Sequence, residues 1–220
     1  MVDIHVYNMK VLVTGSSKGI GKAIANKFLN EGHEVIGFDI LESTINHKNY
    51  THYIQDITND LPDIKDIEIL VNNAGIQEGD VIKVNLEGTI NVTEKYINPK
   101  IKSIVFITSS SATTGSEFPE YAASKGGVLT YMRNVALRIA KYKATSNSIS
   151  PGGVITELND HILKDKKLYQ AVLDESLLGK WATPEEIADF TYFISVINKS
   201  MTGEDIFIDN GEKIKANFIW

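Results

Sequence analysis

The sequence predicts one doubly wound α/β domain spanning residues 1–220, a parallel sheet with helices on both faces. Three observations predict it. Short runs rich in Val and Ile alternate with longer amphipathic stretches, and near-continuous apolar content is what a parallel strand covered on both faces needs. The first run passes through a glycine turn, TGSSKGIG at 14–21, directly into an amphipathic segment, so the chain opens strand, turn, helix. Neither an internal repeat nor a low-complexity linker interrupts the alternation, and one domain of this length buries a substantial core.

Taken in order, the strands are KVLVTG at 10–15, EVIGFD at 34–39, HYIQD at 52–56, IEILVNNAG at 67–75, SIVFITSS at 103–110 and DIFIDNG at 205–211. A weaker one, SNSIS at 146–150, is assigned from its place in the alternation. Helices are expected at about 20–31, 84–97, 121–141 and 184–196, completing right-handed crossovers. The last opens on Thr183-Pro184-Glu185-Glu186, with a capping Thr, Pro at the first helical position and Glu at the third, which is a structural signal and not a chemical one.

Composition narrows the function. A net charge of -6 and a pI near 5.4 give no electrostatic footprint for nucleic acid or an anionic membrane. With no cysteine, the chain has no disulfide framework, thiolate metal site or thiol nucleophile. His5, His33, His47, His52 and His161 lack metal-ligand spacing and are expected at the surface or packed as ordinary side chains, so no metal is expected. No apolar run approaches the ~18 residues of a membrane span, and MVDIHVYNMK carries no signal-peptide core. A cytoplasmic location follows as the expectation, and the sequons at Asn49, Asn91 and Asn198 read as chance matches.

Two stretches carry chemistry. In the glycine turn, Gly15 permits the tight turn, Gly19 lets backbone approach a pyrophosphate, and Gly21 permits close packing of helix on strand, while the helix N-terminus offers N–H groups to the anion. Asp39 ends the next strand, where a carboxylate can accept hydrogen bonds from ribose hydroxyls, pointing to NAD. Lys18 pulls the other way, because a base in the turn could meet the 2′-phosphate of NADP. The second stretch is EYAASKGG at 120–127, in which Tyr121 and Lys125 stand four residues apart on one helical face with small residues between. Helical spacing produces such pairs for free, so alone this one is compatible with an ordinary surface.

Set in order, TGSSKGIG, Asp39, Asp56, NNAG at 72–75, VNLEG at 84–88, SS at 109–110, YAASK at 121–125, NSISPGGVIT at 147–156, KWATPEEIA at 180–188 and TGEDIFIDNG at 202–211 resemble the short-chain dehydrogenase/reductase family. That is a Rossmann-fold group of NAD(P)-dependent oxidoreductases. The resemblance implies Tyr121 as acid or base, with Lys125 favouring the phenolate by its charge and holding the nicotinamide ribose. A free phenol has a pKa of about 10, so it needs such a neighbour to exchange protons near neutral pH. It implies Ser109 as the residue bonding the substrate oxygen, with Ser110 and Ser111 as close rivals, and Asn85 as the residue that kinks its helix and holds a water on a proton path towards Lys125. Cofactor contacts are implied for Gly15, Ser17, Lys18, Gly19, Ile20, Gly21 and Asp39, for Asp56 and Ile57 flanking the adenine, for Asn73, Ala74 and Gly75 beside the adenosine, for Tyr121 and Lys125, and for Pro151, Gly152, Val154 and Thr156, the last at the carboxamide. Asn72 is expected to be structural, bonding neighbouring strands.

Two segments depart from the family pattern. Six residues separate Asp60 from Ile67 and nine separate Gly75 from Asn85, both short for this family. The first barely admits a crossover helix, and the second predicts a more open groove beside the cofactor. The Lys-rich amphipathic stretch 157–179 is expected to be a helical lid over a small-molecule substrate, a carbonyl or secondary alcohol such as a sugar, polyol or small ketone. The resemblance also implies a homodimer or homotetramer joined through the helices beginning near Val84 and Tyr121. The C-terminal NFIW either packs on its own domain or enters a neighbour. The rival function is a catalytically silent dinucleotide sensor, which would need the glycine turn and Asp39 but not Asn85, Ser109, Tyr121 and Lys125 together.

Overall fold

The computed structural model of the chain describes residues 8–116 and 118–215. The expected tail packing of NFIW therefore falls outside the described residues. Seven strands, β1 (Lys10–Thr14), β2 (Glu34–Asp39), β3 (Tyr50–Ile54), β4 (Ile69–Asn72), β5 (Ser103–Ile107), β6 (Thr145–Pro151) and β7 (Asp205–Ile208), form one sheet in the order β3-β2-β1-β4-β5-β6-β7. Every pairing is parallel. The predicted doubly wound architecture is what the chain adopts.

Alternation along each strand divides the core in two. Val11, Val13, Ile69, Val71, Val105 and Ile107 face the side covered by α1 (Gly19–Asn30) and by α7 (Pro184–Tyr192). Leu12, Leu70, Ile104 and Phe106 face α2 (Thr89–Tyr96) and α4 (Pro119–Ile139). Residues on both faces are buried, which is why these strands read as unbroken apolar runs. The remaining helices are short: α3 (Ser111–Thr114), α5 (Asp160–Lys164) and α6 (Lys166–Leu173). At α7 the Thr183 side chain accepts from Glu186 N–H and the Glu186 carboxylate accepts from Thr183 N–H, the reciprocal cap the tetrapeptide implied.

Several boundaries differ from expectation. β3 runs from Tyr50 to Ile54, two residues earlier than expected; past its end Gln55 N–H still donates to Asp39 O, and the Gln55 side-chain amide donates to Asp56 O and Asp60 O. β4 ends at Asn72, and residues 73–75 are non-strand backbone, since Asn73 and Ala74 donate their N–H groups to Thr14 Oγ1. The helix expected at 84–97 begins as a π-helix, Ile82–Gly88, before continuing as α2, and α7 runs on into a π-helical turn, Phe193–Ile197. The short connection between β3 and β4 carries no helix; Leu61 and Ile64 cover the core there, and Tyr96 Oη donates to Pro62 O.

Candidate active site

Strand order reverses between β1 and β4, and a crevice opens at the carboxyl ends of the strands there. Its floor is the glycine turn. A Cβ at Gly15 (φ +68°) would lie 2.8 Å from Asn73 Nδ2, and one at Gly21 would lie 2.0 Å from Gly15 O, so only glycine lets turn, helix and β4 loop meet. Asn73 donates from Nδ2 to Thr14 O and Gly15 O, bracing the turn from below. Lys18 enters α1 in extended conformation and gives it no side-chain cap, so the helix presents its first-turn N–H groups to a ligand. Ile20 lies in that first turn, partly buried.

The catalytic candidates come from three parts of the chain: the helix Ile82–Gly88, the segment just past β5, and α4. Lys125 is buried on α4 and donates from Nζ to Ile107 O at 3.0 Å, with Nζ 5.8 Å from the centre of the half-buried Tyr121 ring. A Cβ at Gly75 would lie 3.3 Å from Lys125 Nζ and 3.1 Å from Asn85 Oδ1, so the ammonium and the asparagine amide meet at that backbone. Asn85 sits within the π-helix, the widened geometry that often accompanies functional positions. Its Oδ1 accepts from Ile76 N–H, and its Nδ2 donates to Ile76 O and to Ser124 Oγ. Ser109 is buried just past β5, and its Oγ accepts from Ser111 N–H and, at 2.9 Å, from Ser111 Oγ. Ser110 begins α3 as its N-cap and gives no side-chain cap bond.

At the end of β2, Asp39 accepts from Ser17 N–H through Oδ2 and from Leu41 N–H through Oδ1, both at 2.9 Å. Those bonds occupy two of a carboxylate's four or so lone-pair directions and leave the others for a ligand. Lys18 is exposed. Asp56 Oδ1 accepts from the backbone N–H and then the hydroxyl of Thr58, which hold its carboxyl below the usual carboxylate range. On the far wall, Thr156 closes against the glycine turn, its Cγ2 3.2 Å from where a Gly19 Cβ would be, and Gly152 donates its N–H to Ile208 O.

Three of the expected cofactor residues are buried, and the expected partner of Asn72 is corrected. Ile57 is buried in the core beside Gly88. Val154 is buried as well, pairing with Ala182 across an isolated bridge, and Pro151 is buried at the end of β6, so these two offer main chain only. Asn72 bonds a helix instead of a neighbouring strand: its Nδ2 donates to Thr93 Oγ1 in α2.

The family model described as enoyl-(acyl carrier protein) reductase matches residues 46–213. The chain belongs to the short-chain dehydrogenase/reductase family. It is 32% identical to a 3-oxoacyl-(acyl-carrier-protein) reductase of Thermotoga maritima over 91% of this chain and 96% of that one. It is 25% identical to an L-rhamnose 1-dehydrogenase (NADP(+)) of Thermoplasma acidophilum over 96% and 98%. Among solved structures, the ligand-free aldohexose dehydrogenase of Thermoplasma acidophilum superposes with a TM-score of 0.86 at 27% identity, covering 97% of each chain. As a short-chain dehydrogenase/reductase the protein is an oxidoreductase, moving a hydride between a nicotinamide cofactor and a carbonyl or secondary alcohol.

Within that family frame, sequence reasoning missed Ser124. It was read only as a small residue leaving space, yet it is fully buried, accepts from Asn85 Nδ2 and donates to Tyr121 O, tying the π-helix to the helix of the tyrosine. Its one signal was its place inside YAASK. His33 is packed as an ordinary side chain, wholly buried against Phe28 and Tyr192.

Proposed function

We propose that Tyr121 is the general acid and base of the reaction, with Ser109, Lys125 and Asn85 as its partners and NAD as the preferred cofactor. The observation that carries this is the convergence at the ends of β4 and β5: Lys125 Nζ and Asn85 Oδ1, from separate helices, meet at Gly75, Lys125 Nζ donates to Ile107 O, and the Tyr121 ring, one turn earlier on α4, lies 5.8 Å from that ammonium. Bound nicotinamide supplies or accepts the hydride. In reduction Tyr121 Oη gives its proton to the substrate oxygen, and in oxidation it takes that proton back. Ser109 Oγ, which already accepts from Ser111, turns its own hydrogen towards the same oxygen as charge develops there. The buried Lys125 ammonium stabilises the phenolate.

NAD is favoured by Asp39, whose free lone pairs suit two ribose hydroxyls. A 2′-phosphate beside it meets repulsion of about 1 kcal/mol in water, rising to ~4 at an effective dielectric near 20. Lys18 is exposed on a flexible stem and reduces the preference without reversing it. An NADP(+)-linked relative makes this the point to test first. Catalytic efficiency with NAD should exceed that with NADP by roughly 10- to 1000-fold. Asp39→Ala should narrow or invert the ratio; a native preference for NADP would overturn the assignment.

The substrate we infer is a small uncharged sugar, polyol or ketone. The short segment from Gly75 to Asn85 carries Glu78 and Asp80 exposed, suited to accepting bonds from hydroxyls, and a net charge of -6 offers an anionic acyl-carrier arm no steering. Residues 157–179 act as the lid. Their base is tied down, with Leu177 and Leu178 donating N–H to Asn210 O and Lys215 Nζ donating to Asp174 O and Ser176 O. A panel of aldoses, polyols, ketones and one 3-oxoacyl thioester, followed at 340 nm, tests the class; the thioester alone turning over would assign the acyl reaction suggested by the 32% identical relative. We further propose a homodimer or homotetramer through α2 and α4, where Leu137 is 80% exposed, and a monomer by light scattering at micromolar concentration would reject it.

A further inference from the structure

Both serines of the GSSKG turn are buried, and neither points at the crevice as a spare hydroxyl. Ser17 Oγ donates to Leu41 O at 3.1 Å, while its N–H goes to Asp39 Oδ2. Leu41 N–H in turn donates to Asp39 Oδ1, so Asp39, Leu41 and Ser17 close a hydrogen-bonded ring between the glycine turn and the end of β2. Ser16 Oγ lies 3.1 Å from Tyr50 Oη, and Tyr50 Oη lies 3.1 Å from His52 Nδ1. The far nitrogen, His52 Nε2, is 2.8 Å from Leu41 O. Two arms leave adjacent serines and meet on one imidazole.

The directions of these bonds follow from the groups themselves. A carbonyl can only accept, so His52 Nε2 carries hydrogen; in the neutral ring Nδ1 then accepts from Tyr50 Oη, and the Tyr50 oxygen accepts from Ser16. The imidazole also stacks on Tyr50, with ring centres 6.0 Å apart and planes 27° from parallel. Room for the first arm is made by Gly37 on β2. A Cβ there would lie 2.1 Å from Tyr50 Oη and 2.3 Å from Ser16 Oγ, so no other residue at 37 admits the link.

We propose that His52 is a positioning residue for the adenosine end of the cofactor: through Leu41 O it fixes the ring that aims the Asp39 carboxylate, and it thereby sets the affinity for NAD and its margin over NADP. This rests on the reading of Asp39 as the ribose acceptor. The Leu41 peptide is the only part of the ring that lies on exposed chain, with the Leu41 side chain 44% exposed, and it is the part His52 holds from β3. Without that bond Leu41 O keeps only the Ser17 hydroxyl, at 3.1 Å, and the exposed turn after β2, whose Leu41 N–H orients Asp39, is held less firmly.

The test is equilibrium binding of NAD and NADP to the full chain, by titration calorimetry, alongside the melting temperature of each variant without cofactor. His52→Phe keeps the ring stack and loses both polar contacts; His52→Gln keeps a donor where Nε2 stands. His52→Phe should raise the NAD dissociation constant by ~5-fold or more, the size expected for one or two hydrogen bonds, and compress the ratio of NADP to NAD constants. His52→Gln should restore NAD binding to within about 2-fold of the native value. An unchanged NAD constant in His52→Phe overturns the proposal. So does equal weakening of NAD and NADP in both variants with a lowered melting temperature, which would mark plain structural damage. Asp39→Asn is measured in parallel: if it leaves NAD binding unchanged, the reading of Asp39 fails; if it weakens NAD while His52→Phe does not, only the role of His52 fails.

Discussion

At the catalytic end of the crevice the side chains that would touch reacting atoms are anchored mostly to backbone: Lys125 on Ile107 O, Asn85 on both polar atoms of Ile76. At the adenosine end the one side chain expected to touch ligand, Asp39, is held by a ring of side-chain and backbone bonds drawn from the glycine turn, β2 and β3. Backbone anchors tolerate many neighbours, whereas a side-chain relay requires particular partners. The catalytic end is built from residues spread from 85 to 125 that each lean on backbone, and the adenosine end from residues spread from 16 to 52 that lean on one another.

Substitutions can separate the two ends. Tyr121→Phe should cost the most, lowering turnover by about 10² to 10⁴ while leaving the NAD dissociation constant unchanged, because only the proton carrier is lost. Near-native turnover measured at 340 nm would sink the assignment of Tyr121. Lys125→Ala should breach the division, lowering turnover by ~10² and also weakening NAD by roughly 10-fold, since a charge-assisted contact goes with it. Turnover falling with cofactor affinity intact would place Lys125 wholly at the catalytic end.

Ser124→Ala should act on stability as well as rate. It removes the buried acceptor of Asn85 Nδ2 and a donor to Tyr121 O, and a urea titration should show a loss of about 1–3 kcal/mol. An unchanged midpoint would mean that the π-helix does not depend on this link. The smallest effect is outside both ends, at His33. Burial pushes its imidazole below the ordinary 6.5, and its Nδ1 already accepts from Met9 N–H. The folded state therefore binds fewer protons than the unfolded one below pH 6.5, so this contribution to stability is present above 6.5 and lost as pH falls, by at most ~1.4 kcal/mol per pH unit. His33→Gln should flatten the change in urea midpoint between pH 7 and 5 without altering NAD binding.

The sheet and both of its covering layers were legible, because apolar content in a buried parallel strand is nearly continuous and the glycine turn marks where β1 becomes α1. Asp39 drew notice from its place at the end of a strand, whereas Asn85, Ser109, Tyr121 and Lys125 were singled out through the resemblance to a family, and their roles rest on it. What escaped depends on contacts between distant segments. Nothing in EVIGFD says that Gly37 makes room for a tyrosine hydroxyl from the next strand, and nothing in HYIQD separates His52 from an ordinary exposed histidine. The partner of Asn72 was misread for the same reason: its amide reaches Thr93 on α2, a contact between distant segments that the run IEILVNNAG does not encode.

β3 is an edge strand, with Thr51, Tyr53 and Ile54 exposed, and it returns to β4 without a helix to hold it down. Such an edge belongs to the low end of the stability range within a fold and opens without the rest of the sheet unfolding. Yet it carries His52 and leads directly to Asp56. If the dinucleotide reaches Asp39 and Asp56 as proposed, it binds only the closed form of this edge, and at a hundred times the dissociation constant such linkage adds about 2.7 kcal/mol to that form. The cofactor is then a splint as well as a reactant, and the supply of dinucleotide sets how long the β3 margin stays paired and out of reach of proteases.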